Sequence, residues 1–179
     1  PEILVDLNLP QSASIQETLK VTQRFEESLK GDDDIVRWSS YIGEGAIRFY
    51  LPLDQQLQNP FYAQLVIVST GLESRDVLVE RLNKRLREEF VGIGSFVHTL
   101  ELGPPVGQPL QYRVSGKDID LVRKYSIDLA TVLDANPNVG ETIFNWNEPG
   151  KVLRIDIAQD KARQFGLSSE DVAHVMNSI

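Results

Sequence analysis

An order of elements that runs once in full and then starts again constrains this chain more than any single residue does. Ile3, Val5, Leu7 and Leu9 alternate with Asp6 and Asn8, which predicts a half-exposed strand. Ser14 with Glu17 three residues later fits a capping box. At helical spacing Ile15, Leu19, Val21, Phe25 and Leu29 fall within an arc of roughly 160°, so a helix with one face to bury follows. Gly31 and the acids Asp32, Asp33 and Asp34 break it. Ile35 to Ile42 reads as a second strand, a long loop intervenes, and Ala63 to Val68 reads as a third. Ser74 opens the next helix, in which Leu78, Leu82, Leu86 and Phe90 recur every fourth residue, and a strand from about Ser95 to Leu102 closes the unit.

Gly103, Pro104, Pro105 and Gly107 then form a stiff connector, because proline cannot donate to a ladder. The pattern restarts with a strand from Leu110 to Val114. A helix from about Asp118 to Asp134 puts Leu121, Val122, Tyr125, Leu129, Val132 and Leu133 on one side, and Asn136, Pro137 and Asn138 stop it. Strands are expected at about 139–146 and 152–157. Beyond Asp156 a short helix ends at Gly166, which suits the left-handed position past a helix end, with Leu167 making the apolar contact that follows. Ser168 caps the next helix, with Asp171 in its first turn. Val172, Val175, Met176 and Ile179 are still building an apolar face at the last residue, so the second copy lacks its closing strand and the sequence reads as a segment of something larger. The expected fold class is α+β: two ferredoxin-like (β-α-β-β-α-β) units in tandem, residues 1–104 and 105–179, the second incomplete. In such a unit the helices cover one sheet face and leave the other for a neighbour, a ligand or water.

Composition narrows the function. A net charge of -8 leaves no basic stripe, which argues against nucleic acid. No apolar run approaches the roughly 18 to 20 residues of a spanning helix. Without cysteine there is no disulfide, thiol nucleophile or thiolate metal site. His98 and His174 stand apart from any ligand-like spacing and read as structural, so neither metal nor cofactor is expected. The pairs Ser39–Ser40 and Ser168–Ser169 lack a nucleophile-elbow setting, which leaves a hydrolytic enzyme without a nucleophile and base. The acids at 32–34 lack the spaced oxygens of a calcium loop and read as a solvated turn. The glycines at 43–45 and 103–107 match no phosphate-cradling pattern.

The connection from Gly43 to Tyr62 is far longer than a hairpin loop and carries Phe49, Tyr50, Phe61 and Tyr62 beside Arg48. Two readings stand: the aromatics plug the open sheet face, or they form a mobile gate or partner contact. Trp38 and Trp146 occupy comparable strand positions and read as core or interface packing.

In the runs at residues 9–18, 100–107 and 156–172 the chain resembles the periplasmic porter region of resistance-nodulation-division (RND) multidrug efflux pumps. The resemblance implies the C-terminal periplasmic loop of an inner-membrane, proton-driven transporter, with residues 1–104 as one porter subdomain and 105–179 as the N-terminal part of the next. It places the long loop where the family has its switch loop. Arg48, Phe49 and Tyr50 would then contact substrate, with Phe96 and Glu101 on the strand lining the cleft. Implied cargoes are small hydrophobic or amphiphilic molecules, and implied partners are two further copies in a homotrimer, a periplasmic adaptor and an outer-membrane channel. The proton relay would lie on membrane helices outside this segment, and no catalysis is implied. The competing reading is a ferredoxin-like regulatory module that holds a small molecule on its sheet faces.

Overall fold

The computed structural model describes residues 1–100, 103, 110–136, 139, 142–145 and 154–177. The chain divides into two compact units, Pro1–Pro149 and Gly150–Ile179. The boundary expected between 104 and 105 lies outside the described residues, as do Glu101, Trp146, Ile179 and parts of the strands expected at 139–146 and 152–157.

In the first unit β1 (Glu2–Asn8), α1 (Ile15–Leu29), β2 (Ile35–Ile42), β3 (Tyr62–Ser69), α2 (Leu72–Glu89) and β4 (Gly94–Thr99) follow in the expected order. The four strands make one antiparallel sheet in the spatial order β2-β3-β1-β4. Strands joined by a helix are never neighbours: β3 separates β1 from β2, and β1 separates β3 from β4. That is the split β-α-β arrangement of the ferredoxin-like fold, and the fold class is α+β.

Strand alternation sends Ile3, Val5 and Leu7 of β1 and Ala63, Leu65 and Ile67 of β3 to one face, where they are buried with Phe25 and Leu29 of α1 and Leu78, Leu82 and Leu86 of α2. Phe90 closes this core, edge-on to Phe25 with ring centroids 5.4 Å apart, and the Arg24 guanidinium lies 4.2 Å above its centroid.

The helices depart from expectation in two places. α1 has the Ser14 and Glu17 capping box, but its buried stripe is Thr18, Thr22, Phe25 and Leu29, while Ile15 and Leu19 are exposed. Hydroxyls can line the interior here because both have acceptors. Thr18 Oγ1 donates to the Pro60 carbonyl at 2.7 Å and Thr22 Oγ1 to the Thr18 carbonyl at 2.8 Å. α2 starts at Leu72, with Gly71 as its N-cap. The Ser74 hydroxyl accepts from Thr70 Oγ1 at 3.0 Å instead of capping the helix.

Beyond the sheet, α3 (Ile119–Asp134) begins where expected, with Asp118 accepting from the Asp120 and Leu121 amides at 3.0 and 3.1 Å. On its apolar side Leu121, Tyr125 and Val132 are exposed and Val122, Leu129 and Leu133 are half-buried, while Ala130 is buried. The strand expected at 110–114 is irregular, as are the described residues 142–145 and 154–158. A strand exists through its pairing, and no ladder joins these segments among the described residues.

The second unit contains α4 (Gln159–Gln164) and α5 (Ser169–Asn177). α4 ends as its sequence predicts. Gly166 has φ +69°, its amide donates to the Arg163 carbonyl at 3.0 Å, and the Leu167 amide reaches back to the Ala162 carbonyl at 2.9 Å, the two bonds of a Schellman closure. Ser168 and Asp171 cap α5 reciprocally: the Ser168 amide donates to Asp171 Oδ2 at 2.7 Å and the Asp171 amide to Ser168 Oγ at 3.1 Å. The hydrogen bond from the Ser168 hydroxyl, and then that from its backbone, hold the Asp171 carboxyl below the usual carboxylate range.

Candidate functional site

The sheet face opposite the helices carries Leu4 and Asp6 from β1, Tyr62, Gln64 and Val66 from β3, Tyr41 from β2, and Phe96 and His98 from β4. The loop 43–61 folds onto it. Ala46 and Leu53 are buried with Leu4, and Tyr41, Tyr50, Val66 and Leu100 pack around them. The loop is drawn in at its root, where the Gly43 amide donates to the Tyr62 carbonyl and the Asn59 amide to the Gly43 carbonyl, both at 2.8 Å. Gly45 is required by proximity, since a Cβ there would stand 2.9 Å from Gln56 Cβ.

Between its two buried residues the loop makes a self-closed turn. The Leu53 amide donates to the Tyr50 carbonyl at 3.0 Å, and Arg48 Nε and Nη2 donate to the Leu51 carbonyl at 3.1 and 2.6 Å. Outward, Ile47, Phe49, Leu51 and Leu57 are 71%, 51%, 80% and 87% exposed, a concentration of large apolar side chains on one loop. The plug and the exposed contact are therefore divided by residue: Ala46, Tyr50 and Leu53 pack inward, while Ile47, Phe49, Leu51 and Leu57 face solvent.

Beneath the loop lies a polar cluster with Asp6 at its centre. Asp6 Oδ1 accepts from Tyr62 Oη at 2.8 Å and Gln64 Nε2 at 2.7 Å, and Asp6 Oδ2 stands 3.4 Å from His98 Nε2. Gln64 Oε1 accepts from the Ala46 amide at 2.7 Å. Burial, and after it the charge of Asp6, push the Tyr62 hydroxyl far above the ordinary tyrosine value of 10.0. The donors of Tyr62 and Gln64 face one carboxylate, so the cluster fixes position and offers no nucleophile with a base beside it.

The residues singled out from sequence fall as follows. Arg48, Phe49 and Tyr50 share the self-closed turn; Arg48 braces it, Phe49 is exposed and Tyr50 is half-buried. Phe96 lies directly across from Asp6 and stacks on His98 with ring centroids 4.7 Å apart. Glu101 lies outside the described residues. His98 lies between this ring and the Asp6 carboxylate. Sequence reasoning missed Asp6, Tyr62 and Gln64 as a group. The available signal was polar residues inside otherwise apolar strand runs, but only the register, with Asp6 opposite both Gln64 and Phe96, makes them one cluster.

The acids at 32–34 also differ from expectation. Asp32 and Asp34 are held by Arg81, whose Nη2 lies 2.7 Å from Asp32 Oδ1 and 3.0 Å from Asp34 Oδ2, so the turn is clamped to α2 and not merely solvated. Among the described residues no three His, Asp or Glu side chains are grouped as a metal site requires, and no helix is long and apolar enough to cross a membrane.

The family model described as AcrB/AcrD/AcrF matches residues 2–179. Among solved structures the chain is similar to the crystal structure of a heavy metal efflux pump, with a TM-score of 0.64 and 15% identity over 98% of this chain. The chain spans 18% of the length of that pump, and at such identity the likeness speaks to fold. No curated protein gives a significant match.

Proposed function

The chain belongs to the AcrB/AcrD/AcrF family of RND efflux pumps, and on that premise we propose that it forms part of the periplasmic cleft through which an inner-membrane, proton-driven multidrug transporter takes up its cargo. Residues 1–104 act as one porter subdomain and 105–179 as the N-terminal part of the next. Family membership favours this reading over a regulatory module. The observation that carries it is the loop 43–61, anchored by Ala46 and Leu53 yet exposing Ile47, Phe49, Leu51 and Leu57. Large apolar side chains held in water on a braced turn are suited to hydrophobic cargo.

The cargo class is small hydrophobic or amphiphilic molecules, with Arg48, Phe49, Tyr50, Phe96 and Glu101 as contacts. A pump for soft metal ions would need thiolate or thioether ligands. This chain has no cysteine and one methionine, so these 179 residues offer no thiolate for such an ion, and the reading of organic cargo rests on the exposed apolar turn. The chain works within a homotrimer with a periplasmic adaptor and an outer-membrane channel, and its motion is rigid-body opening and closing of the cleft.

The test is made in the full-length pump. One cysteine is placed in each subdomain flanking the cleft, and the pair is crosslinked. Efflux of an amphiphilic dye is expected to stop on crosslinking and resume on reduction. Undiminished efflux from the locked pump, or export of metal salts without dye export, overturns the proposal.

A further inference from the structure

Gln64 is 2% exposed, and its side chain accepts from the Ala46 amide of the loop. Its amide can be oriented in only one way. A carboxylate accepts and cannot donate, so the Asp6 oxygen 2.7 Å away must face Gln64 Nε2. Tyr62 Oη donates to that same oxygen at 2.8 Å, and His98 occupies the other side of the carboxylate. The Gln64 carbonyl is thereby turned to the Ala46 amide at 2.7 Å. Ala46 is the first buried residue of the loop, and Ile47, Phe49 and Leu51 follow it directly.

We infer that Gln64, oriented by Asp6, is the positioning residue that sets where the apolar turn 47–52 stands, and so governs how strongly the loop engages cargo. The consequence for cargo rests on the porter reading above; the anchoring itself does not. The Ala46 amide, at the base of a turn whose Ile47, Phe49 and Leu51 are exposed, has this buried side chain as its hydrogen-bond acceptor. Removing the acceptor frees the turn at its inner end, while Leu53 still holds the outer end.

The test compares Gln64→Met, Gln64→Glu and the double variant Asp6→Asn/Gln64→Glu. Methionine keeps the volume and removes both bonds. Glutamate keeps the acceptor for Ala46 but sets two carboxylates together. In the double variant the amide introduced on β1 donates to the new carboxylate on β3, which still accepts from Ala46, so the link from β1 through β3 to the loop is rebuilt with its charge moved to the neighbouring strand, while Tyr62 Oη loses the acceptor it had on Asp6. Amide exchange at Ala46, measured by NMR on the 179-residue chain, is expected to quicken about tenfold in Gln64→Met. It should quicken in Gln64→Glu and return to near the parent rate in the double variant. In the full-length pump the same ranking is expected in KM for an amphiphilic dye, with kcat little changed. Unaltered exchange at Ala46 in Gln64→Met, or failure of the double variant to restore what Gln64→Glu loses, overturns the anchor. Altered exchange with an unmoved KM leaves the anchor standing and overturns the cargo role of the loop.

Discussion

The two faces of the one sheet are covered in opposite ways. Toward the helices, β1 and β3 contribute Ile3, Val5, Leu7, Ala63, Leu65 and Ile67, all fully buried, and α1 and α2 cover them with regular helical surfaces that are apolar but for Thr18 and Thr22 of α1. Toward the loop, the same strands contribute Leu4, Asp6, Tyr62, Gln64 and Val66, and the covering layer is an irregular segment held by two buried side chains and a few hydrogen bonds. Burial of apolar area is non-directional and strong in sum, so the helix face sets global stability. Hydrogen bonds are directional and weak in net terms, so the loop face sets a position at small cost to stability if it is lost.

The largest effect that tests this contrast is on the helix face. Phe25→Ala removes a fully buried ring that meets Phe90 edge-on and is expected to cost about 3 to 5 kcal/mol in chemical denaturation. Leu53→Ala, on the loop face, should cost about 2 kcal/mol, the low end for a buried leucine, because an irregular segment can settle into the space. Limited proteolysis should then cut within 43–61 well before the sheet. Equal costs for the two variants, or proteolysis that begins in α1, would break the comparison.

A smaller effect distinguishes the polar cluster from mere packing. Tyr62→Phe keeps the ring and loses the hydroxyl bonded to Asp6, at a cost of about 1 kcal/mol near neutrality. Its pH signature is more telling. Folding raises the Tyr62 value above the ordinary 10.0, so above that pH the unfolded chain releases a proton that the folded chain keeps. Stability from this group is complete below pH 10.0 and declines as pH rises beyond it. Denaturation midpoints of the parent should therefore fall more steeply above pH 10 than those of Tyr62→Phe. Parallel curves would mean the hydroxyl is not buried against Asp6.

What could be read from the sequence follows the same division. Periodicity located the helix face: the strand alternation, the leucines of α2 and the capping box of α1 are all local patterns, and each is present. It misplaced the buried stripe of α1 because Thr18 and Thr22 count as polar until their acceptors are known, and the Thr18 acceptor is the carbonyl of Pro60, 42 residues away. The local punctuation around Gly166 and Ser168 was legible for the same reason that it formed. The cluster at Asp6 was not, because it joins β1, β3, β4 and the loop through register that no one segment encodes. Strands in the later half were expected from local patterns, and among the described residues 110–114 is irregular.

The smallest expected change in stability falls on the outer side of the loop, and its size makes the test sharp. Phe49 is half exposed and next to the Arg48 side chain that braces the turn through the Leu51 carbonyl. Phe49→Ala removes apolar surface already in contact with water, so its effect on unfolding should lie within about 0.5 kcal/mol of zero. If the turn exists to meet hydrophobic cargo, the same substitution should weaken dye export by the full-length pump several-fold, a consequence with no route through stability. A destabilisation comparable to that of Leu53→Ala would instead place the ring in the plug. Unchanged export with unchanged stability would move the cargo contact elsewhere on the loop, to Ile47, Leu51 or Leu57, which stand at least as far into solvent.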